Sequence, residues 1–160
     1  MIYSKQKAKN YIFFLLSIKS RTKKEIIDKL KRKEYNIDVI NEAVKEIEGL
    51  DYINDKKYAL NFALDSLNFK KSGKNLVKRK LLLKGIDKDI IDETIKNVFS
   101  EVNEFDLAYE LAKRRLKSYV KKDNKTLARR MQGFLVRRGY GFDVAIKTIK
   151  RIFKELEVDE

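Results

Sequence analysis

Apolar residues recur along the chain at intervals of three and four positions, which is the spacing of one face of an α-helix. The clearest stretch places Val39, Ile40, Ala43, Val44 and Ile47 on one side of a helix. Proline is absent and glycine occurs only six times, so few residues interrupt a helix. The pattern predicts an all-α protein.

One version of this pattern occurs three times. A leucine, basic residues, a turn, an apolar residue and an aspartate begin at Leu30, again 51 residues later at Leu81, and again 54 residues later at Leu135. A unit of about 50 residues has a marginal core by itself, and stacking units supplies the missing burial. We therefore predict three tandem three-helix, helix-turn-helix-like repeats in an elongated, curved array. Their predicted ranges are residues 1–50, 51–103 and 104–160.

Polar residues at the predicted helix ends indicate caps. Thr22 followed by Glu25 is typical of a capping box, in which each side chain binds a free backbone N–H of the first turn. Asn36 and Asp55 are placed to cap the helices that follow them. We expect the second helix of the first repeat to run from about residue 22 to 33.

The first helix of each repeat and the turn after the second helix are also predictable. Tyr11, Leu15 and Ile18 have the spacing of a buried face in the first helix. Gly85 and Gly139 stand where a second helix ends, and glycine accepts the left-handed conformation of such a turn. Glu34 occupies this place in the first repeat, so that turn is either different or strained.

The chain is strongly basic, with 38 Lys and Arg against 24 Asp and Glu, a formal net charge of +14. Such a field favours polyanions: nucleic acid, an acidic protein face or an anionic membrane. Two basic runs stand out, one from Lys70 to Lys80 and one from Lys113 to Arg138. The candidate contact residues in them are Lys70, Lys71, Lys74, Lys78, Arg79, Arg114, Arg115, Lys121, Lys122, Lys125, Arg129, Arg130, Arg137 and Arg138.

These basic runs have two possible interpretations. Lys71, Lys74 and Lys78 are three and four residues apart, which predicts one basic face of a helix for phosphate or carboxylate binding; the alternative is a solvated helix face. Tyr119 and Tyr140 have the chemistry to stack on bases. Tyr140 is better explained as a core residue, since apolar or aromatic residues hold its place in the other repeats.

Missing residue types limit the chemistry. Cysteine and histidine are absent, which excludes disulfides, Cys or His zinc sites, and the usual general base and thiol nucleophile. We expect no catalytic, cofactor or metal site, and hence no enzyme. No apolar run reaches the roughly 18 residues of a membrane span, and the N-terminal sequence is not typical of a signal peptide. We expect a cytoplasmic, monomeric protein without membrane contact.

Several motifs in order resemble the RecX family of RecA regulators. They are Tyr52-Ile53-Asn54-Asp55 followed by Tyr58-Ala59, Leu81 through Ile86, and Phe134-Leu135 through Asp143. The resemblance covers about residues 8–153. The chain departs from it at Asp51, where the family often has glycine, and at Glu34.

The resemblance implies a function that composition does not. It implies a regulatory protein that binds the RecA–single-stranded DNA filament and negatively modulates RecA recombinase and ATPase activity, in DNA repair, recombination and the SOS response. One alternative is a direct, phosphate-tracking DNA-binding protein that acts without RecA. Another is a helical scaffold for a different acidic partner.

Overall fold

The computed structural model describes residues 4–119 and 123–158, and every regular element in those residues is an α-helix. This confirms the predicted fold class. The helices are α1 (Lys5–Ile18), α2 (Lys23–Arg32), α3 (Ile37–Gly49), α4 (Asp55–Asn68), α5 (Lys74–Leu83), α6 (Lys88–Phe99), α7 (Glu104–Leu116), α8 (Asn124–Arg137) and α9 (Phe142–Val158).

The predicted caps are right at two helices and wrong at a third. Thr22 accepts from the Glu25 N–H at 3.2 Å, and the Glu25 carboxylate accepts from the Thr22 N–H at 3.0 Å, so the capping box is confirmed. Asn36 accepts from a backbone N–H at the start of α3, as predicted. Asp55 does not cap α4, because the Asn54 side chain accepts from the Lys57 N–H at 2.9 Å in that role.

The core of the first repeat lies between α1, α2 and α3, which pack against one another. The predicted stripe of α3 is confirmed, since Ile40, Ala43, Val44 and Ile47 are buried and Val39 is half-buried. The face predicted for α1 is partly wrong, since Ile18 is 60% exposed. Leu15 is buried as predicted, Ala8 and Ile12 complete the buried stripe, and Tyr11 is half-buried beside it.

The third repeat has a similar core between α7, α8 and α9, which includes Met131, Leu135 and Tyr140. Ala108 and Ala112 of α7 are buried in this core, and Leu111 is half-buried against it. Fully burying one Leu or Ile side chain stabilises a fold by about 1.5–3 kcal/mol, so each such residue in these stripes contributes substantially to stability.

The described residues form two compact units. One holds the described residues up to Asn61 together with Lys80–Thr94, and the other holds Phe62–Arg79 together with the described residues from Ile95 onward. A compact unit is a group of residues in mutual contact, whereas a repeat is a division of the sequence. The repeat boundaries after residues 50 and 103 therefore stay a prediction.

The turn between the second and third helices has the same conformation in all three repeats. Its φ angle is +60° at Glu34, +77° at Gly85 and +94° at Gly139. The turn in the first repeat is therefore strained rather than different, because a side chain in the left-handed region costs about 1–2 kcal/mol. Glu34 is exposed, so its side chain meets no steric barrier beyond its own backbone.

Candidate functional site

The second unit brings parts of the two basic runs together. The first run occupies the loop between α4 and α5 and continues along α5, which begins at Lys74. The second run occupies the end of α7, the helix α8 and the turn after it. Lys121 and Lys122 lie outside the described residues.

The backbone of the α4–α5 loop contacts the backbone of the α8–α9 turn. The Gly73 N–H donates to the Arg138 carbonyl at 2.8 Å, and the Asn75 N–H donates to the Gly139 carbonyl at 3.2 Å. A Cβ atom on Gly73 would lie 2.4 Å from the Gly139 carbonyl oxygen, and one on Gly139 would lie 2.4 Å from the Leu76 nitrogen. Gly73 and Gly139 are therefore both needed for these two backbone segments to approach this closely.

Side chains from the turn fasten the same loop. The Arg138 guanidinium donates to the Lys70 carbonyl, and the Tyr140 hydroxyl donates to the Lys71 carbonyl at 2.6 Å. Tyr140 is 2% exposed, and burial raises the pKa of its hydroxyl well above the usual 10.0. The interpretation of Tyr140 as a core residue is confirmed, and base stacking by its ring is wrong, because the ring lies inside the third core.

Lys74 also has a partner within the fold. Its backbone N–H donates to Glu104 Oε1 at 3.0 Å, and its ammonium lies 3.1 Å from Glu104 Oε2. The predicted helical face of Lys71, Lys74 and Lys78 is wrong, because Lys71 precedes α5 and has a φ of +49°. The hydrogen bonds that Lys71, Lys74 and Arg138 form within the fold were not predictable from the sequence.

The outward half of α8 carries a second group of cations. Lys125, Arg129, Arg130 and Arg137 are all exposed, and at 100° per residue they fall on the side opposite Leu127, Met131 and Leu135. We call these four residues the α8 basic face.

The end of α7 adds further arginines. Arg114 and Arg115 are exposed, and the Arg115 guanidinium lies 5.4 Å from the ring centres of both Tyr119 and Phe134. These cation–π contacts hold Arg115 against α8. Arg79 is exposed on α5.

The first unit repeats the loop-to-turn junction with different side chains. The buried Thr22 hydroxyl donates to the Lys84 carbonyl at 2.8 Å, and the Lys23 N–H donates to Asp55 at 2.9 Å. The Lys84 ammonium lies 2.9 Å from Glu25. In the first unit, the start of α2 binds the turn after α5 and Asp55 at the start of α4. In the second unit, the start of α5 binds the turn after α8 and Glu104 at the start of α7.

The two carboxylates of the junction in the first unit, Glu25 and Asp55, have opposite pKa shifts. Burial by itself raises the pKa of Glu25, but the Thr22 N–H and the Lys84 ammonium outweigh it and hold the pKa below 4.5. Burial raises the pKa of Asp55 above 3.8, although the Lys23 N–H opposes the shift.

Within the part of the chain that the structure describes, no helix is long and apolar enough to cross a membrane.

Comparison with known families gives three consecutive matches. The models of the first, second and third three-helix domains of RecX match residues 8–46, 54–95 and 102–149, respectively.

Curated relatives cover most of the chain. The regulatory protein RecX of Clostridium beijerinckii is 34% identical over 142 residues, which is 88% of this chain and 65% of that protein. The one from Clostridium perfringens is 30% identical over 148 residues, or 91% of this chain and 68% of that protein. The chain spans less than two thirds of the length of the Clostridium beijerinckii protein and of several further curated relatives, for example 56% in Lactococcus lactis.

Solved structures agree with these matches. The crystal structure of RecX from Lactobacillus salivarius has a TM-score of 0.78 and 26% identity, covering 92% of this chain and 95% of that one. Another crystal structure, of a regulatory protein RecX, has a TM-score of 0.79 and 25% identity, covering 92% of this chain and 71% of that one.

Proposed function

The chain belongs to the RecX family, and on that premise we propose that it binds a RecA–single-stranded DNA filament in the cytoplasm and lowers RecA recombinase and ATPase activity. It acts as a non-catalytic monomer, by binding rather than by chemistry. The observation that carries the proposal is the α8 basic face, four exposed cations on one side of a helix in a chain of net charge +14.

The filament suits such a surface because it offers phosphates and acidic protein side chains along one groove. Guanidinium groups bind both kinds of anion through paired hydrogen bonds. Like charges on one helix face repel one another by a few tenths of a kcal/mol per pair. An anionic partner removes that repulsion, which supports binding over a merely solvated face.

Ten of the fourteen contact candidates fall into two groups by their roles in the fold. Of the other four, Lys78 is exposed on α5, Arg115 contacts two aromatic rings, and Lys121 and Lys122 lie outside the described residues. Exposed residues whose atoms form no part of the loop-to-turn junction are the strongest candidates: Arg79, Arg114, Lys125, Arg129, Arg130 and Arg137. Lys70, Lys71, Lys74 and Arg138 hold the junction through backbone or side-chain atoms. Substituting Lys74 or Arg138 tests folding together with binding, so these two are poor probes of the contact surface.

We predict that Arg129→Glu/Arg130→Glu greatly weakens inhibition of RecA. The double variant reverses two exposed charges and breaks no contact in the core, so its circular-dichroism spectrum and unfolding curve stay close to wild type. The measurement is DNA-stimulated ATP hydrolysis by RecA on single-stranded DNA, titrated with each protein.

A charge-matched control is Lys88→Glu/Lys96→Glu, which reverses two exposed lysines of α6. It changes the net charge by the same amount, so it separates a local contact from general electrostatic attraction. Full inhibition by Arg129→Glu/Arg130→Glu would remove the α8 basic face from the contact surface. No inhibition by the wild type at any ratio would refute the RecA proposal itself.

The alternative is direct DNA binding without RecA. In a helix-turn-helix protein the last helix reads base edges in the major groove. In the first repeat, the outward side of α3 carries Asp38, Glu42 and Glu48, which repel phosphate, so α3 does not suit that role. A sequence-specific duplex complex formed without RecA would favour the alternative over filament binding.

A further inference from the structure

A row of aromatic rings lies on the surface of the first unit. The Tyr11 ring stacks on the Tyr35 ring at 6.5 Å between centres and 10° between planes. On the same helix it stacks on the Phe14 ring at 6.3 Å and 21°. We call Tyr35, Tyr11 and Phe14 the aromatic row.

The row lies beside the core rather than inside it. Lys7, Tyr11, Phe14 and Ile18 are spaced by four, three and four residues, which places them on one face of α1. At 100° per residue that face lies about a quarter turn from the fully buried stripe of the same helix, so Tyr11 and Tyr35 pack against the edge of the core. Phe14 is 59% exposed, and Tyr11 and Tyr35 are half-buried. The fold therefore fixes two rings from behind and leaves the third open to solvent.

Cations flank the rings. The Lys33 ammonium lies 5.7 Å from the centre of the Tyr11 ring, and Lys7 is exposed one helical turn before Tyr11. Lys31 and Arg32 are exposed in the last turn of α2. Glu34 is the acidic residue next to Lys33, and the four cations outnumber it.

We propose that the aromatic row is a binding site for the unpaired bases of a single-stranded polynucleotide. A base stacks on the open Phe14 ring, which Tyr11 and Tyr35 support, and Lys33 and Lys7 bind the phosphates on either side. Near-parallel rings beside cations match this ligand, since every base has a flat π-face and every nucleotide has a phosphate. The site lies in the first unit and needs neither RecA nor the α8 basic face.

An aliphatic neighbour separates base stacking from ordinary apolar contact. Ile18 shares the face of α1 and is 60% exposed, nearly the same as Phe14. A docked protein helix would bury both side chains, whereas a base gains stacking energy from Phe14 alone.

The first experiment measures affinity. We expect Phe14→Ala to weaken binding of fluorescein-labelled oligothymidylate about tenfold, the loss of roughly 1.4 kcal/mol of stacking. Ile18→Ala should bind like wild type. Equal losses in the two variants would overturn base stacking and indicate an apolar protein surface.

The second experiment reports on the stacked base directly. The chain has no tryptophan, so Phe14→Trp introduces one indole into the row and preserves its stacking. Oligothymidylate should quench its fluorescence, whereas an abasic oligonucleotide of the same length should bind through its phosphates without quenching. Tyr52→Trp is the matched control, because Tyr52 is 60% exposed in the same unit and stands edge-on to Phe13 outside the row.

Equal quenching of the two reporters, or none at Phe14→Trp, would overturn the proposal. The same titration in the Arg129→Glu/Arg130→Glu background keeps the two sites apart. Quenching that persists there, together with lost RecA inhibition, supports both proposals. Quenching that persists while the wild type fails to inhibit RecA refutes only the proposed function.

Discussion

At the scale of single residues, the same conformation has different costs in different surroundings. Glu34 and Gly139 occupy equivalent left-handed positions, with φ of +60° and +94°. Glu34 is exposed, so the strain lies in its own backbone. Gly139 lies against the start of α5, where any Cβ would meet the Leu76 nitrogen. The glycine is therefore required by a neighbouring segment as well as by its own φ.

This difference predicts opposite effects of substitution. Glu34→Gly should raise the free energy of unfolding by about 1 kcal/mol, because the left-handed strain disappears. Gly139→Ala should lower it by several times that amount, because a steric clash with backbone is added to the strain. Urea denaturation followed by circular dichroism measures both.

Gly133→Ala is the control, since Gly133 lies inside α8 and its Cβ would meet only the flexible Arg137 guanidinium at 3.1 Å. Alanine there should stabilise the helix by about 0.5–1 kcal/mol. A similar response of Gly133 and Gly139 would contradict the backbone contact.

At the scale of elements, the start of α2 is fixed twice. A local cap satisfies its first N–H groups, and a turn further along the chain binds the capping residue. Thr22 does both, because its hydroxyl accepts from the Glu25 N–H and donates to the Lys84 carbonyl, 62 residues away. A capping residue in this position also joins two segments.

Thr22→Ala should therefore cost more than the loss of an ordinary cap. We expect the free energy of unfolding to fall by about 2–3 kcal/mol, because the part-buried Lys84 carbonyl also loses its partner. Thr22→Ser should recover much of this. Asn36→Ala, which removes an exposed cap with one bond, should cost about 1 kcal/mol. Equal losses in chemical denaturation would mean that the Lys84 contact contributes nothing.

At the scale of the whole molecule, carboxylates paired with lysines or tyrosine set the response to acid. Hydrogen bonds from Lys9 and Lys5 hold the pKa of Glu46 below 4.5, and one from Tyr109 does the same for Glu155. Glu25 is shifted in the same direction. A lowered pKa in the folded state means that the charged form stabilises the fold, so this stability is lost as pH falls below 4.5.

Asp55 has the opposite sign and gives the sharper test. Its pKa is raised above 3.8 in the fold, so its charged form disfavours folding and protonation relieves that cost. Asp55→Asn should be more stable than wild type at pH 7, and the difference should vanish as pH falls towards 3.8. Glu25→Gln should be less stable at pH 7, and its deficit should shrink as pH falls below 4.5. Unfolding curves at pH 7 and pH 4 that gave both differences the same sign would contradict this assignment.

The sequence by itself determined what depends on near neighbours. The helical periodicity, the capping box at Thr22, and the N-cap and stripe of α3 all involve residues within a few positions of one another, where spacing fixes geometry. The three-helix repeats were visible because one local pattern recurs after 51 and again after 54 residues, and the family comparison confirms them. The total charge follows from counting.

Only the tertiary structure decided which basic residues have hydrogen-bond or ion-pair partners within the fold. Arg138 and Tyr140 reach loop carbonyls 68 and 69 residues away, and Lys74 pairs with a carboxylate 30 residues away. No local pattern encodes such partners, because they depend on how one repeat meets the next. The same reason hid the role of Asp55, which had the sequence of a helix cap and instead accepts from Lys23. Composition shows that the chain is basic, whereas long-range hydrogen bonds distinguish the cations that hold the fold from those of the α8 basic face.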